Sequence, residues 1–117
     1  MTKFYENRPQ VPSCEDFTSS FGCDCSIDKD LVQICEFRDE LGKFIQITFG
    51  LLDKSFGLSM SCQGSKLLEV YDEYLTEATV DESNNLIKEM LTSNELIREI
   101  TITVWPKAIV NIKAMHL

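Results

Sequence analysis

A single histidine, His116, one place from the C-terminus, is all the imidazole this chain has. Nucleophilic catalysis needs a nucleophile, a base and a group to orient the base. A base at a fraying chain end is poorly placed for that work, so a Cys–His pair is not expected. The sequence also lacks G-x-S-x-G, a P-loop and G-x-G-x-x-G, the short patterns that build nucleophile elbows and phosphate cradles. No enzyme activity and no cofactor are therefore expected. Long apolar runs are missing too: Ala108-Ile109-Val110 is typical of the longest, far short of the roughly 20 residues a spanning helix needs. The opening MTKFYENRPQVPSC has no apolar h-region, so no secretory signal is expected.

Cysteine is the one chemically versatile residue in supply, with five copies, an odd number that cannot pair off completely. Cys14, Cys23, Cys25 and Cys35 fall within 22 residues, spaced C-x8-C-x-C-x9-C. A structural zinc accepts four thiolates, but its knuckles present two sulfurs from one C-x2-C turn. That spacing is absent and Cys35 falls inside an expected strand, so no metal is expected. Cys23-Asp24-Cys25 is a strained frame for a disulfide and has no adjacent cation to hold a thiolate. The expectation is a reduced, cytoplasmic protein whose thiols are small buried hydrophobes. Asp24, Asp28 and Asp30 resemble a calcium loop only loosely, without its glycine or closing glutamate.

Nineteen acids against eleven bases give a net charge of −8. Such a field repels phosphate backbones and anionic lipid, so neither nucleic acid nor membrane is the expected partner. It favours a cationic protein. Hydrophobic residues at 44% and charged residues at 26% of 117 describe one ordinary globular domain, 1–117.

Pattern then divides the chain. Residues 1–30 read as largely irregular, with Pro9 and Pro12 breaking structure, Ser13 capping a short turn of helix and Gly22 ending it. Residues 31–38, rich in apolar and β-prone types, and the alternating 43–49 make a hairpin about a turn at 39–42, and Phe56, Leu58, Met60 and Cys62 share one face of a further strand. Residues 66–75 fit either a strand or an amphipathic helix, with strand favoured. Leu86, Ile87, Met90 and Leu91 form a helical stripe, so Ser83–Leu91 reads as a helix. Residues 98–104 and 108–114 make a last hairpin about Trp105-Pro106-Lys107. The expected fold is α+β: a mainly antiparallel sheet of about six strands with one helix late in the chain.

One stretch stands apart. From Leu67 to Ile87 there is no Lys or Arg, while Glu69, Asp72, Glu73, Glu77, Asp81 and Glu82 supply six carboxylates beside Tyr71 and Tyr74. A surface kept soluble by charge intersperses both signs. A single-signed run with tyrosines, the residue type enriched at interface hot spots, points to capture of a basic partner. Asp72 and Glu73, being adjacent, point to opposite faces of a strand and make no glycosidase pair. Alternatives are a small ligand-binding or catalytic pocket using carboxylates and thiols, and a homo-oligomer joined through Trp105, Ile109 and Met115.

In size, charge and overall pattern the chain resembles the immunity proteins of bacterial polymorphic toxins and contact-dependent growth inhibition systems. The resemblance implies a non-enzymatic inhibitor of a toxin domain, often a cationic nuclease, with acidic residues standing in for phosphates. The stretch around Tyr71, Asp72, Glu73 and Tyr74 would do that work.

Overall fold

The computed structural model describes residues 8–93 and 95–116, the last of these by its backbone alone. The His116 side chain, which entered the sequence reading, lies outside the described residues.

The helix comes early. Ser13 accepts from the Asp16 N–H and Asp16 returns a bond to the Ser13 N–H, a capping box that starts α1 (Cys14–Phe21). Gly22, at φ 66°, closes it with a bond from its N–H to Thr18 O, the left-handed cap glycine adopts most easily. Phe17 is the residue of α1 that is fully buried, its ring 5.6 Å from that of Phe49. The loop expected at 23–30 instead holds β1 (Asp24–Ile27), so the first thirty residues are more ordered than expected.

From there the chain is a meander of antiparallel hairpins. β2 (Val32–Arg38), β3 (Lys43–Gly50), β4 (Phe56–Cys62) and β5 (Ser65–Asp72) follow β1 in one five-stranded sheet, in sequence order. A second sheet of four strands runs β6 (Leu75–Asp81), β7 (Leu86–Thr92), β8 (Leu96–Thr103) and β9 (Ile109–His116), again in order. The described residues thus hold nine strands in two sheets, where about six in one were expected, and the fold is mostly β.

The ambiguous stretch 66–75 is strand over Ser65–Asp72. Gln63 and Gly64, both at positive φ, make the tight turn that pairs Cys62 with Ser65. The expected helix at Ser83–Leu91 is a correction: one short 3₁₀ turn, Glu82–Asn84, leads into strand β7. Its stripe was a strand in disguise. Ile87, Glu89 and Leu91 point inward and are fully buried, and the glutamate among them hid the period of two.

The two apolar faces share one core. Cys35, Phe37, Ile45, Ile47, Phe49, Phe56, Leu58 and Met60 come from the first sheet; Leu75, Ala78, Ile87, Leu91, Ile100 and Ile102 come from the second. Cross-strand pairs such as Ile47↔Leu58 and Phe49↔Phe56 set the register that keeps these residues on one face. Asp39 fastens the ends of the sheets together. Its carboxylate accepts from Leu41 N and Lys43 N, at 2.9 and 2.8 Å, and from Ala108 N at 2.9 Å. Burial works against its charged form, but the N–H groups of Ala108, Lys43 and Leu41 outweigh it and hold the carboxyl below the usual range.

The thiols also differ from expectation. Cys14 and Cys25 are joined as a disulfide with Cα atoms 5.2 Å apart, because β1 pairs against β2 directly beneath the start of α1. Cys23 and Cys35 are buried free thiols, as expected, and Cys62 is half-buried.

Candidate protein-binding surface

The acidic stretch occupies the place where the chain leaves one sheet for the other. β5 is an edge strand of the first sheet and β6 an edge strand of the second, joined by Glu73 and Tyr74 alone. The N-terminal segment covers part of β6, with Gln10 N bonded to Thr76 O and Ala78 N bonded to Gln10 O. No such cover lies on β5 among the described residues.

Alternation along β5 sorts its side chains. Leu68, Val70 and Asp72 face inward, opposite Met60, Leu58 and Phe56. Glu69 and Tyr71 face outward, opposite Ser59 and Gly57. Small residues there leave a shallow hollow of about 250 Å³ lined by Gln46, Thr48, Gly57, Ser59, Glu69 and Tyr71. A long cationic side chain would meet a carboxylate and a phenol at its rim. Tyr71 and Tyr74 are 68% and 54% exposed, large values for residues whose rings favour burial. Tyr74 also adopts φ 70°, a conformation that bulky residues rarely accept and that concentrates at functional sites. Its carbonyl accepts the Thr92 N–H at 2.9 Å, which holds the crossover in place.

Six of the eight residues singled out from sequence are therefore exposed: Glu69, Tyr71, Glu73, Tyr74, Glu77 and Glu82. Two are engaged within the chain. Asp72 turns inward to Arg98 of β8 in a two-pronged ion pair, a fork in which Nη2 donates to Oδ1 at 2.7 Å and Nε lies 2.6 Å from Oδ2 without hydrogen-bond geometry. Asp81 caps the 3₁₀ turn, and bonds from Asn84 and Ser83 hold its carboxyl below the usual range. Glu69 keeps an exposed ion pair with Lys66 at 3.0 Å. Tyr71, Glu73 and Tyr74 cluster at the crossover, whereas Glu82 lies a full strand away, about 25 Å along β6 at the usual rise per residue.

No protein-family model matches the chain. An uncharacterized protein of Pasteurella multocida (strain Pm70) is 27% identical over 99 residues, covering 83% of this chain and 89% of that one. Among solved structures, a chain of the contact-dependent growth inhibition toxin–immunity protein complex from Klebsiella pneumoniae 342 superposes with a TM-score of 0.80. The match covers 92% of this chain and 97% of that one, at 14% identity. This chain has the fold of a component of that complex. The resemblance read from size, charge and pattern holds at the level of the fold.

Sequence reasoning missed three features. A cavity of about 670 Å³ opens beside α1, bounded by Phe21, Cys23, Arg38, Phe44 and Trp105; no local motif announces it, because it forms between distant elements. The Asp72–Arg98 fork spans 26 positions and has no sequence signature. Glu89 sits fully buried in the core with neither carboxyl oxygen hydrogen-bonded, detectable only once β7 is read as a strand.

Proposed function

We propose that this chain is a cytoplasmic immunity protein that binds and neutralises a basic toxin domain, with no catalysis of its own. One observation carries the reading: near-complete two-way coverage by the fold of a chain from a toxin–immunity complex. The exposed cluster of Tyr71, Glu73 and Tyr74, extended by Glu69, Glu77 and Glu82, supports it by offering aromatic anchors among exposed carboxylates. A nuclease is the partner best matched, since its active site already binds a polyanion and exposed carboxylates can occupy it.

The test takes the product of the reading frame adjacent to this gene as the candidate toxin domain. Co-expression should rescue growth of cells making that domain. Glu73→Lys with Glu77→Lys should slow association roughly tenfold at low salt and much less at high salt. Both are exposed, so the fold should survive, whereas reversing Asp72 would break its fork with Arg98. An unchanged on-rate with the cognate domain would sink the surface, and failure to bind at all would sink the role.

A second reading rests on the cavity beside α1. Arg38 lies 4.9 Å from the Phe44 ring centre, so a cation and aromatic walls converge there. Asp24 and Glu36 line the same cavity and outnumber Arg38, so a small cationic ligand with an apolar body fits its charge better than an anion. Loss of its binding in Asp24→Asn, with toxin binding intact, would separate the two readings.

A further inference from the structure

Two sheets give this chain four edge strands, β1, β5, β6 and β9, and all but the last are guarded. Gln10 lies alongside β6, with Gln10 N bonded to Thr76 O and Ala78 N bonded to Gln10 O. β1 is four residues long, carries Asp24 and is tied to α1 by the Cys14–Cys25 disulfide. β5 is interrupted by a register shift at Leu67, between the pairs Met60↔Leu68 and Ser61↔Lys66, and bears Lys66 and Glu69 beside it. Short length, bulges and charges are the usual means of stopping an edge from recruiting another strand.

β9 has none of these. Its eight residues pair with β8 without a shift, from Thr103↔Ile109 to Leu96↔His116, and nothing among the described residues pairs with its far side. It contains no proline, glycine or carboxylate. Lys113, the kind of charge that can guard an edge, stands opposite Glu99 of its own sheet and is balanced there. Ile109, Ile112 and Met115 are 47, 52 and 46% exposed. Ile112 lies on the inward face opposite Ile100, which is 1% exposed. The core therefore stops in the middle of an isoleucine pair.

We propose that β9 is a dimerisation edge, to which β9 of a second copy adds antiparallel about a two-fold axis, joining two four-stranded sheets into one continuous sheet. The sequence of β9 selects the register. A two-fold axis normal to the sheet sets one residue opposite itself and keeps inward faces continuous with inward faces. Centred on Ile112, it pairs Ile112 with itself, Asn111 with Lys113, Val110 with Ala114, and Ile109 with Met115. Each of the three exposed apolar side chains then meets another at the roughly 4.5–5.5 Å where cross-strand pairs stabilise a sheet. On the inward face the row runs Ile100, Ile112, then Ile112 and Ile100 of the second copy. About six to eight backbone hydrogen bonds close the ladder. Centring on Asn111 would set Ile109 against Lys113, and centring on Lys113 would oppose two ammonium groups.

Charge chooses the occupant. A basic partner gains nothing from a strand without carboxylates and is drawn to the crossover instead. Two copies of a chain with net charge −8 repel one another over most of their surface. At β9 they can approach with no carboxylate of either strand opposed. The crossover lies before β6, at the opposite edge of the second sheet, so pairing through β9 leaves Tyr71, Glu73 and Tyr74 free on both copies. The dimer stands or falls independently of toxin binding.

Sedimentation equilibrium of the full-length protein alone, from about 1 to about 300 µM, should show a monomer–dimer equilibrium. Ile112→Lys places like charges opposite each other at the axis and should weaken the dimer at least about tenfold, with an unchanged circular dichroism spectrum. The register is read separately. Ile109→Cys mixed with Met115→Cys and oxidised should give a cross-linked dimer that neither variant gives alone, because two residues 109 would lie roughly 20 Å apart along the strands. Those two positions are exposed, so this arm stands even if Ile112→Lys misfolds. A monomer over the whole range, a dimer of unchanged strength in a folded Ile112→Lys variant, or cross-linking as efficient in either cysteine variant alone would each overturn the proposal. So would β9 amides that gain protection from hydrogen exchange only when a toxin domain is added, which would give this edge to that partner.

Discussion

Replacing Glu89 should stabilise this protein, and the gain should grow with pH. Glu89 sits on the inner face of β7 between Ala78 of β6 and Ile100 of β8, flanked by Ile87 and Leu91. All five are buried, and neither Glu89 oxygen has a hydrogen-bond partner. Burial pushes its carboxyl well above the usual carboxylate range. The sign follows from linkage. A carboxyl raised in the folded state contributes fully below its unfolded pKa, about 4.3, and that contribution is lost as pH rises through the folded value. Across that window each pH unit costs about 1.4 kcal/mol. Glu89→Gln removes the titration but keeps a buried polar group. Glu89→Met, close in volume, removes both, and should add about 1–3 kcal/mol by abolishing the unsatisfied group. For a domain of this size that is a rise of roughly 4–12 °C in Tm. Thermal unfolding followed by circular dichroism from about pH 5 to about pH 8 measures both effects, with wild type compared against each variant at every pH. The difference between Glu89→Gln and wild type should widen as pH rises. A pH-independent difference, or a Tm lowered by Glu89→Met, would refute the reasoning.

Three further outcomes are expected. Asp39→Ala strands the buried Ala108 N–H and should cost about 1–3 kcal/mol in chemical denaturation; because the Asp39 carboxyl is lowered, wild type should lose this advantage only as pH falls below about 4 toward its folded pKa. Arg98→Met leaves Asp72 half-buried without its fork and should cost about 1–2 kcal/mol, with the Asp72→Asn, Arg98→Met double variant recovering part of it. Exposed Ile109, Ile112 and Met115 lie on β9, a sheet edge without any carboxylate; if chains self-associate there, Ile112→Lys should abolish a concentration-dependent dimer seen by light scattering.

Legibility tracked how local each signal was. Strands β3 and β4 were readable because their inward residues are uniformly apolar, as in Phe56, Leu58 and Met60, and β2 and β8 because Cys35 and Phe37, Ile100 and Ile102 outweigh the inward Gln33 and Arg98. The Ser13 cap and the Gly22 stop were readable because each acts within four residues. β7 was misread because Glu89 interrupts its inward row, and propensity alone cannot tell a buried glutamate from a helix surface. β1 was missed because only one side of it pairs, and three aspartates surround it. At the candidate surface, the exposure of Tyr71 and Glu73 followed once the stretch was a strand. The withdrawal of Asp72 depended on an arginine 26 residues away, and Asp81 on a turn the sequence reading had taken for a helix start.

The two-residue crossover at Glu73-Tyr74 divides the chain into halves that never exchange strands. Every ladder in the first sheet can form once Asp72 has left the ribosome, before β6 has emerged. Yet that sheet then shows solvent a largely apolar face, with Ile45, Ile47 and Leu58 awaiting Ile87, Ile100 and Ile102. Synthesis therefore passes through a nascent stage rich in backbone hydrogen bonds and poor in burial. For a chain of this design the hazardous interval is the time before the last forty or so residues emerge from the ribosome.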